Sequence, residues 1–186
     1  MPAHARTSVE QIVAAGRTVL EAEGLDGLTM QAVAMAVGVR PPSLYKRLRD
    51  RGDLIRLIAT DVADELGSTV EAVATGHDAR ADLRAIASAY RAYAHAHPQA
   101  FDLLNAPLPE AWRPDTAVTV RSSAAILRVA GALAGPGHAL EAARTAVAWA
   151  NGFVRMELSG AFRLGGDVDA AFSFGLEHLT EALAAD

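Results

Sequence analysis

The 186-residue chain has no cysteine, so disulfides, thiolate metal ligands and cysteine nucleophiles are all excluded. Aromatic residues make up only 5% of it, too few for the aromatic and β-branched strands of a sheet protein. No run of about 18 apolar residues occurs, so no membrane-spanning helix is expected. The opening stretch MPAHARTSVEQIVAAG has neither the apolar core nor the cleavage pattern of a secretory signal, which makes the cytoplasm the expected compartment. Glycine-rich phosphate loops, nucleophile elbows and paired-carboxylate patterns are also missing. The six histidines form no helical pair with a neighbouring carboxylate of the zinc-hydrolase kind, and His95 and His97 fall on different faces. Glu157, on an apolar helix, reads as a satisfied structural carboxylate rather than a general base. No catalytic residue, metal or cofactor is expected.

What the chain does have is alanine and helical periodicity. Hydrophobic residues reach 51%, much of it alanine, the best helix former, so the expected fold class is all-α with about nine helices. Ser8 and Gln11 have capping-box spacing ahead of Val9, Ile12, Val13, Val19 and Leu20, and Gly24 supplies a stop. Thr29 can cap a two-turn helix carrying Met30, Val33 and Ala34, ended by Gly38. Pro41 and Pro42 suit the first turn of a third helix expected to reach about Leu48, and Asp50 can cap a long one ending near Gly76. Further helices are expected over 79–97, 98–105, 115–134, 138–161 and 168–184, with the proline-rich APLPEAWRP as the clearest loop. The expected division is a head at 1–50, a connector helix at 51–76 and a bundle at 77–186.

Charge is distributed unevenly. The net charge is −5, yet residues 40–56 hold Arg40, Lys46, Arg47, Arg49, Arg51 and Arg56 against Asp50 and Asp53, giving +4 there and −9 elsewhere. Because screening confines surface charges to about a Debye length, roughly 8 Å, a basic patch on an acidic protein can still attract phosphate at close range. Two short helices joined by a glycine-containing turn and followed by a basic cluster have the form of a helix-turn-helix that places one helix in the major groove. In that arrangement Leu44 and Leu48 face the head's core, while Ser43, Tyr45, Lys46 and Arg47 face outward.

The run LTMQAVAMAVGVRPPSLYKRLRDRGDLIRLIA resembles the DNA-binding head of the tetracycline-repressor (TetR) family of bacterial regulators, with Thr29, Ala34, Gly38, Val39, Ser43-Leu44-Tyr45, Arg51 and Leu54 at the pattern positions. The resemblance covers residues 9 to about 60. It implies phosphate contacts from Thr29, Tyr45 and Arg51, and base-edge or phosphate contacts from Gln31, Arg40, Pro41, Pro42, Ser43 and Lys46. Leu48 replaces an aromatic common in the family. The two prolines replace a more polar start to the reading helix; lacking donors, they leave only thymine methyls or duplex shape to be read. The segment AWANGFVRMELSGAF is also similar to a subgroup with a Trp-His-Gly motif, matched by Trp149 and Gly152 but with Asn151 in place of histidine.

Membership of that family implies a homodimer on a palindromic double-stranded operator, a small-molecule effector, and a repressor released when the effector binds. Leu140, Ala143, Val147, Ala150 and Val154 recur by three and four, the seam a helical dimer needs. For the effector, Tyr90, Tyr93, Phe101, Trp112, Trp149, Phe153 and Met156 are candidate lining residues for an apolar or aromatic molecule. Arg121, Asn151 or Arg155 would supply a polar anchor. The same aromatics could equally be core or dimer seam. Two other functions compete: a helical enzyme or carrier with an incidental basic head, and an adaptor binding proteins through its apolar helices.

Overall fold

The computed structural model describes residues 7–184, and within them the chain forms ten α-helices, two short 3-10 turns and no strand. The first six residues, part of the stretch read for a targeting signal, lie outside the described residues. No single described helix is long and apolar enough to cross a membrane. The helices are α1 (Val9–Gly27), α2 (Met30–Val37), α3 (Pro41–Leu44), α4 (Arg51–Val73), α5 (Ala79–Ala96), α6 (Pro98–Asn105), α7 (Thr116–Ser122), α8 (Ala124–Ala134), α9 (Ala139–Leu158) and α10 (Val168–Leu183).

The chain forms two compact units. One contains the residues up to Asp64 together with His97–Thr119; the other contains Glu65–Ala96 and Val120 onward. This differs from the expected division, since α6 and the proline-rich loop group with the head, and α4 contributes to both units.

In the first unit, α1 begins at a complete capping box: the Ser8 hydroxyl accepts from Gln11 N–H and the Gln11 side chain accepts from Ser8 N–H. Gly24 takes a left-handed conformation (φ 70°), so the expected stop appears as a break followed by one more turn to Gly27. Gly16 lets α4 approach closely: a Cβ there would lie 2.6 Å from Ile58 Cδ1. Glu21 accepts from the N–H groups of Gln99 and Ala100, satisfying free donors at the start of α6. Ile12, Leu20, Leu28, Val33, Leu44, Leu54, Ile58 and Phe101 are fully buried in this unit.

In the second unit, Val70, Leu83, Ile86, Ile126, Val129, Leu133 and the small Ala142, Ala143 and Ala146 form one core; Ala87, Phe172 and Leu176 form another, with Trp149 and Phe153 packed on it. The helix expected over 115–134 is interrupted at the Ser122–Ser123 pair. There the Ser122 backbone lies against Gly67 of α4, where a Cβ would meet Ser122 Cα at 2.6 Å. This interruption accounts for ten α-helices against the expected nine. Asp82 is 3% exposed and accepts from Thr75 N–H, Thr75 Oγ1–H and Gly76 N–H, closing the turn between α4 and α5. Burial raises its pKa, but those three donors outweigh it and hold the carboxylate below its usual range.

Candidate nucleic-acid interface

Each end of the turn between α2 and α3 is fixed by a local rule. The Thr29 hydroxyl accepts from Ala32 N–H at 3.1 Å, capping α2 as expected. Gly38 ends it in the left-handed region (φ 78°), and Val39 N–H reaches back to Ala34 O. Arg40 then precedes Pro41 and Pro42 in the first turn of α3. The helix proper is shorter than expected, ending at Leu44, and continues as turns closed by Arg47 N–H and Leu48 N–H on Leu44 O. Leu44 (0% exposed) and Leu48 (2%) fill the head's core. Consequently Pro42, Ser43, Tyr45, Lys46 and Arg47 are exposed together, with Pro41 half-buried beside them.

The six basic groups of 40–56 are not equivalent. Arg51 turns inward: its Nε donates to Leu28 O at 2.7 Å and its Nη2 to Leu25 O, so the guanidinium satisfies carbonyls at the end of α1, whose last turn has no basic residue of its own. It also sits 6.0 Å from the ring centre of Trp112. Arg51, expected to contact phosphate, thus also braces the end of α1, using its Nε–H and one Nη2–H for these carbonyls. Arg49 pairs with Asp53 at 3.4 Å, and Arg56 pairs with the same carboxylate at 2.9 Å. Burial tends to raise the Asp53 pKa, but hydrogen bonds from Arg56 and Arg49 depress it overall. The exposed cations of the α2–α3 face are Arg40, Lys46 and Arg47. Gln31 is exposed one helical turn before Met35, which is 72% exposed and was not picked out in the sequence.

The aromatic candidates for effector binding do not form one set. Phe101 is fully buried in the head unit. Trp112 packs on α4 where Gly52 leaves room: a Cβ at Gly52 would lie 2.1 Å from its Nε1. In the other unit Tyr93 is buried and donates its hydroxyl proton to Glu65 at 2.8 Å, Tyr90 is half-buried and Arg121 exposed. Trp149 and Phe153 do come together, with ring centres 5.7 Å apart, and both pack against Phe172, Phe153 edge to face. Phe162 joins through Phe153 at 4.9 Å. Met156 is 48% exposed and lies outside that cluster of rings.

Beside the rings is an ionic knot with no sequence signal. Arg91 of α5 binds both oxygens of Glu157 and also Asp169, lies over Phe172, and shares Glu157 with His95 at 3.1 Å. The hydrogen bonds from Arg91 are the main reason the Glu157 carboxyl is held below its usual range, in keeping with its expected structural role. No group of three or more metal-ligating side chains occurs among the described residues.

Residues 12–58 match the family "Bacterial regulatory proteins, tetR family", and residues 83–179 match "Tetracyclin repressor-like, C-terminal domain". An uncharacterized HTH-type transcriptional regulator of Mycobacterium tuberculosis is 32% identical over 171 residues, which is 91% of this chain and 78% of that protein. Among solved structures, a protein of unknown function from Rhodococcus sp. RHA1 superimposes with a TM-score of 0.81 at 26% identity, covering both chains completely. BioQ, solved with its double-stranded DNA operator, gives a TM-score of 0.72 at 26% identity over 97% of this chain and 99% of its own. The chain belongs to the TetR family of DNA-binding transcriptional regulators.

Proposed function

We propose that the chain is a homodimeric repressor that holds a palindromic operator through paired α3 segments and releases it when an apolar or aromatic effector binds. The observation that carries the DNA half is the division of one short segment: Leu44 and Leu48 are buried while Pro42, Ser43, Tyr45, Lys46 and Arg47 are exposed. A duplex-reading helix needs this division, because its inner side must brace it and its outer side must reach the groove. Thr29, Gln31, Arg40 and Tyr45 flank it as positioning contacts, and Arg51 acts indirectly by holding the end of α1. As in the BioQ complex, the partner is double-stranded DNA.

Support for the dimer comes from α9 and α10, where Leu140 (45% exposed), Val147 (41%), Met156 (48%) and Phe174 (65%) are apolar and uncovered. Of the expected seam, Ala143, Ala150 and Val154 are buried within the unit, leaving Leu140 and Val147 for a second copy. One reading helix makes few contacts, and two-fold pairing doubles them. Support for the effector class comes from the Trp149–Phe153–Phe172 rings, an apolar cluster in which half-buried Trp149 and Phe153 pack on buried Phe172 and Arg91 lies over the Phe172 ring. An effector releases DNA only by preferring the arrangement in which the two heads miss successive grooves.

The test is selection of bound fragments from genomic DNA, followed by the folded Tyr45→Ala/Lys46→Ala double variant. The wild type is expected to enrich one palindromic site, and the double variant to lose it. Equal enrichment by both proteins would remove α3 as the reading element.

A further inference from the structure

We propose that Pro42, with Pro41 beside it, reads the C5-methyl group of an operator pyrimidine, so that recognition at one base pair per half-site depends on a methyl group rather than a hydrogen bond. The proposal rests on α3 being the groove-entering segment.

The first three positions of α3 have no free backbone N–H to offer a duplex. Pro41 and Pro42 occupy its first two positions and have no N–H, and the next N–H, that of Ser43, is taken by Arg40 O at 2.9 Å. A helix N-terminus ordinarily holds phosphate through free N–H groups; this one cannot. Leu44 is fully buried on the inner side, which turns the exposed Pro42 ring outward among Ser43, Tyr45 and Lys46, also exposed. The leading surface of the reading segment is thus a saturated carbon ring bordered by polar side chains.

The major groove has one apolar feature, the thymine C5-methyl group; its other edge groups are donors and acceptors. A proline ring set against a donor or acceptor desolvates that group without replacing its water, and this selects against such bases. Set against a methyl, it buries apolar surface on both sides. Shape reading in a narrow minor groove works through cationic side chains, which the prolines lack. Arg40, Ser43 and Lys46 remain for phosphates and base edges on either side. 5-Methylcytosine carries its methyl at the same ring position as thymine, so the same contact makes binding sensitive to cytosine methylation at that pair.

The experiment uses the full-length protein and the duplex recovered by selection from a random-sequence library, with each thymine replaced in turn by deoxyuridine, which pairs identically but lacks the methyl. Removing one critical methyl is expected to weaken binding about fourfold, the equivalent of one buried methylene at ~0.8 kcal/mol, and removing it in both half-sites about fifteenfold. Changing that thymine to cytosine weakens binding, and 5-methylcytosine restores most of the loss. Folded Pro42→Ala binds the thymine and uracil duplexes within twofold of each other; Pro42→Ser replaces it should the alanine variant lose its melting transition. A uracil scan that is flat at every position, or a methyl effect of the same size in the Pro42 variants, overturns the proposal while selective, salt-sensitive binding of the parent duplex keeps the regulator reading intact. Failure of the library to yield any selected duplex overturns both together.

Discussion

Gly52→Ala is a substitution whose effect should reverse with one distant neighbour. Gly52 lies in the first turn of α4, where alanine ordinarily gains up to about 1 kcal/mol over glycine. Here the added Cβ would sit 2.1 Å from Trp112 Nε1, 2.6 Å from its Cδ1 and 2.8 Å from its Cε2, far inside van der Waals contact. A rigid indole, in a segment stiffened by Pro107, Pro109 and Pro114, has little room to yield, so overpacking costs about 1–3 kcal/mol. The single variant should therefore be destabilised by roughly 1–2 kcal/mol, or a few degrees in melting temperature for a chain of this size. In a Trp112→Ala background the obstacle is gone and the same change should stabilise by a few tenths to about 1 kcal/mol. The coupling in the double-mutant cycle is thus expected to exceed about 1.5 kcal/mol. Thermal melts measure it, and Trp112 fluorescence in a Trp149→Phe background reports whether the indole has left its site. A Gly52→Ala protein as stable as its parent, or a coupling near zero, would refute the packing of Trp112 on α4.

Thr29→Ala should cost about 1 kcal/mol by removing the α2 cap, measured by denaturant titration; Thr29→Ser should restore most of it. Glu157→Gln should cost roughly 1–3 kcal/mol at neutral pH, because Arg91 keeps Asp169 but loses a charged partner. Since the folded Glu157 pKa is depressed, its contribution is full above the ordinary glutamate value of 4.5 and is lost as pH falls through the folded value. The gap between variant and wild type should therefore close in melts taken progressively below pH 4.5. Arg51→Gln should lower stability by loosening the end of α1, and should change the salt slope of DNA binding less than Lys46→Ala does.

Local rules made much of the head legible in the sequence. Ser8–Gln11, Thr29, Gly38 and the two prolines act within a few residues of themselves, and each marks the boundary observed. The inward leucines Leu44 and Leu48 followed from helical spacing alone. What the sequence hid depends on contacts between distant segments. Arg51 sits in a basic run, yet its geometry is set by the carbonyls of Leu25 and Leu28 and by Trp112, sixty-one positions away. The break at Ser122–Ser123 accompanies the close approach of Gly67, and no periodicity in 115–134 announces it. Spacing put Trp149, Phe153 and Met156 on one face, but only the first two reach Phe172, which belongs to another helix. Arg91 and Asp169 are seventy-eight residues apart and unremarkable individually, so their knot with Glu157 appears only once α5, α9 and α10 are packed.

The most direct measurement is the affinity of the full-length protein for its selected palindromic duplex as a function of salt. Arg40, Lys46 and Arg47 in each of two heads can neutralise up to about six phosphates, so log affinity should fall against log salt with a slope between about −3 and −5. Lys46→Ala should flatten that slope by nearly two. A slope near zero, or equal affinity for a scrambled duplex of the same length, would contradict the assignment of this surface to DNA.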